Sequence, residues 1–156
     1  MKTLYRAYRP QNFEQLVGQN HIKVTLQHEI ESNRMAHAYV FCGPRGVGKT
    51  TTARILAKTI NCFNLGEDIE PCNNCESCTS FNEGHSFNIL ELDGASNNSV
   101  EDIRNLIDQV RMAPQVGKYK IFIIDEVHML SLSAFNAFLK TLEEPPKHAI
   151  FILATT

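Results

Sequence analysis

Three groups of residues in this chain have types and spacings suited to chemistry. The first is Gly43, Pro44, Arg45, Gly46, Val47, Gly48, Lys49 and Thr50, with Thr51 continuing the same run. It fits G-x-x-x-x-G-K-[ST], follows the apolar stretch Ala38 to Phe41, and opens a helical pattern. A glycine-rich turn in that place points successive backbone N–H groups at phosphate oxygens. The helix adds its free N–H groups and the positive end of its dipole. Lys49 would neutralise β/γ-phosphates and the Thr50 hydroxyl would hold Mg²⁺. The pattern predicts nucleoside triphosphate binding, against the bland alternative of a chance match in an ordinary Gly-rich loop.

The second group is acidic. Ile121-Phe122-Ile123-Ile124 runs into Asp125 and Glu126. In a parallel sheet, ligands sit at the carboxyl ends of the strands. Asp125 would then lie beside the phosphate loop and help hold Mg²⁺. Glu126 could polarise an attacking water as a general base. The second carboxylate has less use in a bare nucleotide binder, so it favours hydrolysis. His128 reads as a structural or interface residue. Thr155 and Thr156 end a later strand on the same edge. Their hydroxyls suit the γ-phosphate or the lytic water, and equally suit β-branched strand residues with no such role.

The third group is Cys72, Cys75 and Cys78 at two-residue gaps, with Cys62 nine residues upstream of the first. Four thiolates suit tetrahedral Zn²⁺ in a closed, structural knuckle. An iron–sulfur cluster and unliganded thiols are the alternatives, and His85 is a weak substitute ligand. Cys42 stands apart and reads as a small buried residue at a strand end.

The elements that must position these groups are legible from periodicity. Asn20 can cap a helix bearing Ile22, Leu26 and Ile30. Strands read at Ala38–Cys42, Asn88–Leu92, Lys120–Ile124 and Ala149–Ala154. A helix from about Lys49 to Asn61 carries Ala53, Leu56, Ala57 and Ile60 on one face. Ser99 with Asp102 makes a capping box, followed by Val100, Ile103, Leu106, Ile107 and Val110 until Pro114. A helix beginning at Ser133 carries Phe135, Phe138, Leu139 and Leu142 and stops at Pro145-Pro146. The stretch Phe63–Glu83 has no helical or strand period. Strands alternating with helices predict an α/β fold, a parallel sheet with helices on both faces.

With 156 residues, 43% hydrophobic, the chain is one domain's worth of material with a real core. A net charge of −2 leaves no global basic footprint for nucleic acid. There is no membrane-spanning run and no apolar leader, which predicts a cytoplasmic protein with no membrane partner. Five cysteines in such a chain argue for metal or chemistry over disulfides.

Taken together, the motifs resemble the N-terminal part of the bacterial DNA polymerase III gamma/tau subunit, the ATPase motor of the sliding-clamp loader, in the AAA+ class of P-loop NTPases. The resemblance spans essentially the whole chain. It is carried by Tyr8-Arg9-Pro10, Val17-Gly18-Gln19, His37-Ala38-Tyr39, the loop Gly43–Thr50, and Leu56-Ala57-Lys58. The four cysteines, Ala95-Ser96-Asn97-Asn98, Ile124 through Leu130, Leu139 through Pro146, and Leu153-Ala154-Thr155-Thr156 complete it. The cysteine insert, at about 61–84, separates this subunit from other AAA+ proteins.

The resemblance implies that Thr155 is the sensor-1 position reading the γ-phosphate. It implies an adenine pocket lined by Ala7, Arg9, Pro10 and Val17. It implies ATP, Mg²⁺ and Zn²⁺ as cofactors. Its partners would be the other subunits of a hetero-pentameric ring, the sliding clamp and primer–template DNA. The alternatives are a non-catalytic scaffold subunit and a related DNA-processing ATPase of the same class, such as a Holliday-junction motor. Residues 1–156 would form one ATPase domain, truncated before its last strand, lid domain and collar. The family's trans-acting and sensor-2 arginines lie beyond Thr156, so the fragment alone should bind ATP poorly and turn over very slowly. Where some members carry basic residues after Ala-Ser, this chain has Asn97, Asn98 and Ser99. A DNA phosphate would then rely on the helix N-terminus at Ser99.

Overall fold

The structure is a computed structural model. It describes residues 20–32, 35–42, 49–65, 69–114 and 118–155. The expected adenine-pocket residues Ala7, Arg9, Pro10 and Val17, the loop Gly43–Gly48 and Thr156 lie outside these.

The described elements run α1 (Asn20–Glu31), β1 (Ala38–Cys42), α2 (Lys49–Asn61), α3 (Glu76–Asn82), β2 (Ile89–Asp93), α4 (Val100–Val110), β3 (Lys120–Asp125), a 3₁₀ turn (Val127–Met129), α5 (Leu132–Glu143) and β4 (Ala149–Thr155). The four strands are all parallel, in the order β1-β4-β3-β2. The chain crosses from β1 to the far edge at β2, then steps back through β3 to β4. Right-handed crossovers put connections of opposite direction on opposite faces. Accordingly, α2 covers one face while α4 and α5 cover the other.

The period of two along a strand divides the core between those faces. Ile121, Ile123, Ile150 and Ile152 point toward Ala53, Ile55, Leu56, Ala57 and Ile60 of α2. Phe122, Ile124, Phe151 and Leu153 point toward Ile103, Leu106, Val110, Ala134 and Phe138. Phe151 stacks on Phe122 at 5.6 Å between ring centres and takes the edge of Phe138 at 5.3 Å. This two-sided burial is why β3 and β4 read as continuous apolar runs.

Four local expectations are corrected. The stretch 63–83 does contain a helix, α3, begun where Cys75 Sγ accepts from Cys78 N. Sulfur caps set it up, so no apolar stripe announces it. Helix α5 starts at Leu132, because Ser131 and not Ser133 caps it, its Oγ accepting from Ala134 N at 3.1 Å. Its buried face is Ala134 and Phe138, while Phe135 and Leu139 stay partly exposed, since the contact with α4 lies to one side of the expected stripe. Cys42 is exposed; among the described strands β1 is an edge, and its alternate residues face away from the core.

Candidate functional site

The carboxyl ends of the strands lie level. Cys42 is in register with Thr155, Ile124 with Leu153, and Asp93 with Asp125. Helix α2 opens beside this edge with Lys49 and Thr50. Thr50 Oγ1 donates to Asp125 Oδ2 at 2.9 Å, and Lys49 Nζ donates to the Thr155 carbonyl at 2.9 Å. Thus four of the residues singled out from sequence, 75 to 106 positions apart in pairs, meet at one point. Thr51 follows on the first turn of α2, half-buried.

A hydroxyl held against a carboxylate is a donor set for a hard cation, and it fits Mg²⁺. The ammonium of Lys49 rests on a neutral carbonyl, a partner that a phosphate oxygen would outcompete by charge.

Glu126 sits just past β3 in the left-handed region, φ 53° and ψ 45°. That conformation is costly for a residue with a side chain. Local hydrogen bonds hold it: Glu126 N donates to Asp125 Oδ1 at 3.0 Å, and Met129 N donates to the Glu126 carbonyl at 2.9 Å. From the neighbouring strand, Gly94 N donates to the Asp125 carbonyl at 2.7 Å. Gly94 is closed in from this side: a Cβ on it would stand 2.5 Å from the Glu126 carbonyl oxygen and 3.0 Å from that of Asp125.

His128 is here too. Its Nδ1 is 3.0 Å from Thr155 Oγ1 and its Nε2 is 3.1 Å from Glu126 Oε2. From sequence, His128 reads as a structural or interface residue and Gly94 as no more than the end of a strand. Only the Asp-Gly at the end of β2 and a histidine two residues past Glu126 signalled them.

The cysteines form a second centre. The Sγ atoms of Cys62, Cys72, Cys75 and Cys78 lie within 4.8 Å of one another. A tetrahedral centre with metal–sulfur bonds of about 2.3 Å sets its sulfurs about 3.8 Å apart, so a small contraction seats a metal ion. Backbone N–H groups already point at the sulfurs: Cys72 N to Cys62 Sγ at 3.4 Å, Asn74 N and Cys75 N to Cys72 Sγ at 3.3 and 3.1 Å. Burial pushes the Cys62 and Cys78 thiols up. Burial also pushes Cys75 up, but hydrogen bonds from Phe63 N, Cys78 N and the neighbouring thiols outweigh it and bring Cys75 to about 6. His85 is not part of the group; it is paired with Glu83 at 3.0 Å.

Lys58, on α2, is 2% exposed and donates to Asn73 Oδ1 at 2.7 Å. Burial lowers it to about 8, while the nearby Cys78 acts to raise it. It ties the cysteine turn to the helix that opens with Lys49.

The N-terminus of α4 is less open to a DNA phosphate than expected. Ser99 Oγ accepts from Asp102 N at 3.2 Å, and Asp102 Oδ2 accepts from Ser99 N at 3.3 Å. Glu101 and Asp102 also bring negative charge to the first turn.

A parallel sheet in this order, flanked by helices on both faces, has the fold of AAA+ proteins. Solved structures agree on the fold. A DNA polymerase III gamma subunit-related protein from Thermotoga maritima covers 85% of this chain, which matches 38% of it, at TM-score 0.59 and 24% identity. The RuvB Holliday junction branch migration motor of Thermotoga maritima covers 95%, matched over 41% of its own length, at TM-score 0.57 and 18% identity. In sequence, DNA polymerase III subunit tau of Bacillus subtilis (strain 168) is 55% identical over 99% of this chain. Residues 18–156 match the family described as DNA polymerase III, delta subunit, and the chain belongs to that family. It spans 27% of the length of the Bacillus subtilis relative.

Proposed function

We propose that this chain is the ATP-binding and hydrolysing part of a DNA polymerase III clamp-loader subunit, in which ATP drives loading of the sliding clamp onto primed DNA. The observation that carries the proposal is the convergence of Lys49, Thr50, Asp125 and Thr155 on one sheet edge. Those groups supply a cation, a metal-binding hydroxyl–carboxylate pair and a further hydroxyl, the set a triphosphate needs. A tau subunit at 55% identity supports the choice of loader over branch-migration motor, since the RuvB likeness extends to the fold alone.

In the mechanism, Gly43–Gly48 and Lys49 bind the phosphates, and Lys49 shifts from the Thr155 carbonyl to a phosphate oxygen. Thr50 and Asp125 hold Mg²⁺, which supplies charge neutralisation on the β- and γ-phosphates. The Glu126 carboxylate takes a proton from the attacking water as its oxygen bonds to the γ-phosphorus. The bond from that phosphorus to the bridging oxygen breaks, and ADP leaves with the electron pair. The Thr155 hydroxyl oxygen accepts a hydrogen bond from the attacking water, which leaves the hydroxyl's own proton for His128 Nδ1, 3.0 Å away. Ala7, Arg9, Pro10 and Val17 line the adenine site, and Thr51 continues the phosphate contacts.

Residues 1–156 act as one ATPase domain. Within it, the cysteine turn holds Zn²⁺ as a structural centre: four sulfurs converging on one point suit a single ion, and no ligand position is left open. The partners are the remaining loader subunits, the clamp and primer–template DNA.

The test is ATP turnover by the full-length subunit, unmodified and Lys49→Ala, each reconstituted with partner subunits, clamp and primed DNA. Clamp- and DNA-stimulated hydrolysis confined to the unmodified protein supports the motor. Equal turnover would make the chain a scaffold with a relic site.

A further inference from the structure

His128 joins two residues that the proposed mechanism uses separately. It sits on the 3₁₀ turn after β3, with one ring nitrogen 3.0 Å from the Thr155 hydroxyl and the other 3.1 Å from the Glu126 carboxylate. The Thr155 carbonyl in turn accepts from Lys49. A polar chain therefore runs from the end of β4, through the His128 ring, to the carboxylate past β3.

Its direction follows from donor and acceptor capacity. An ionised carboxylate only accepts, so Nε2 carries the proton facing Glu126. In the neutral ring Nδ1 is then an acceptor, and the Thr155 hydroxyl donates to it. Thr155 thereby fixes the ring's tautomer and orientation, and the ring sets Nε2–H 3.1 Å from Glu126 Oε2, where a small rotation completes a hydrogen bond that holds the carboxylate. A glutamate has three side-chain torsions, and a backbone already held in the left-handed region does not set them. Something must, if the carboxylate is to meet a water in one geometry.

We propose that His128 is a positioning residue that orients Glu126 for proton abstraction and links that orientation to Thr155 at the end of β4. The proposal rests on the reading of Glu126 as the base. His128 itself neither touches the phosphates nor carries the proton that leaves the water.

The test uses the full-length subunit in its assembled loader, comparing His128→Ala, His128→Gln, Thr155→Val, the His128→Ala/Thr155→Val double variant and Glu126→Gln. Loss of orientation should lower kcat by about ten- to a hundredfold in His128→Ala, with KM and the affinity for a non-hydrolysable ATP analogue unchanged within about twofold. Gln has a donor and an acceptor at its tip, as the neutral ring does, so His128→Gln should recover most of kcat. The double variant should lose clearly less than the product of the two single losses, since both break one chain while Thr155 also acts on its own.

Full kcat in His128→Ala overturns the proposal. So do losses that multiply in the double variant, or a parallel fall in analogue binding that marks plain structural damage. Glu126→Gln separates the two readings. If it hydrolyses at the unmodified rate, the base assignment itself fails and takes this proposal with it. If it is inactive while His128→Ala is not, only the role of His128 is refuted.

Discussion

Gly94→Ala is the smallest change that should damage the site. The added carbon would lie 2.5 Å from the Glu126 carbonyl oxygen, 3.0 Å from the Asp125 oxygen and 3.1 Å from the Glu126 carbonyl carbon. All three are backbone atoms, so no side chain can swing away. Relief requires the Asp125–Glu126 peptide or the β2 end to retreat by roughly 0.5–1 Å, and overpacking of that size costs about 1–3 kcal/mol. For a domain of this length that lowers Tm by about 2–12 °C. The displaced group is the peptide that aims both carboxylates, and a shift near 1 Å there can cost about a hundredfold in rate.

Melting curves and ATP turnover of the assembled protein read the two effects. Gly84→Ala is the contrasting change. Gly84 has φ 85° with open space around its Cβ position, so alanine there should cost about 1 kcal/mol of stability and leave turnover intact. If Gly94→Ala kept full turnover and an unchanged Tm, the account of the Asp125–Glu126 turn as sterically fixed by β2 would be wrong.

Other outcomes follow from the second centre and the core. Cys75→Ser should reduce bound zinc from about one equivalent per chain to near zero, measured by elemental analysis after gel filtration. Lys58→Met should weaken zinc about ten- to a hundredfold in a chelator competition, by removing a buried cation next to Cys78. In metal-free protein the same change should leave Tm equal or higher, because a buried charge is gone and Asn73 Oδ1 keeps its bond from Asn82. Phe138→Ala should cost about 3–5 kcal/mol in urea unfolding, since the ring is fully buried against Phe151.

Much of the fold was legible because its signals are local. Ser99 and Asp102 announce their own capping box, and the Ile-rich runs of β3 and β4 announce strands covered on both faces. The Lys49, Thr50 and Asp125 triangle was legible because a phosphate loop and an acidic strand end have one sensible arrangement in a parallel sheet. The four cysteines declared themselves by spacing.

What stayed hidden depends on contacts between distant segments. Gly94 is needed for the space left by a carbonyl 32 residues later, which no periodicity reports. His128 gains its neighbours from a turn that brings it over Thr155, 27 positions away. Ser131 and Ser133 are equally good caps on composition, and only the packing of Ala134 and Phe138 against α4 decides between them. Helix α3 escaped notice because sulfurs, not apolar side chains, organise it. Nothing local in the sequence marks Lys58 for burial, which comes from the cysteine turn folding over it.

The central claim is that the Lys49–Thr50–Asp125–Glu126 edge hydrolyses a nucleotide as well as binding it. The most direct measurement is a rapid-quench single turnover of radiolabelled ATP by the full-length Glu126→Gln protein in its assembled loader, alongside its ATP affinity. The account predicts affinity within about twofold of the unmodified protein and a chemical step slowed at least about a hundredfold, the size expected for loss of a general base. Hydrolysis at the unmodified rate would contradict it and move the chemistry to other residues.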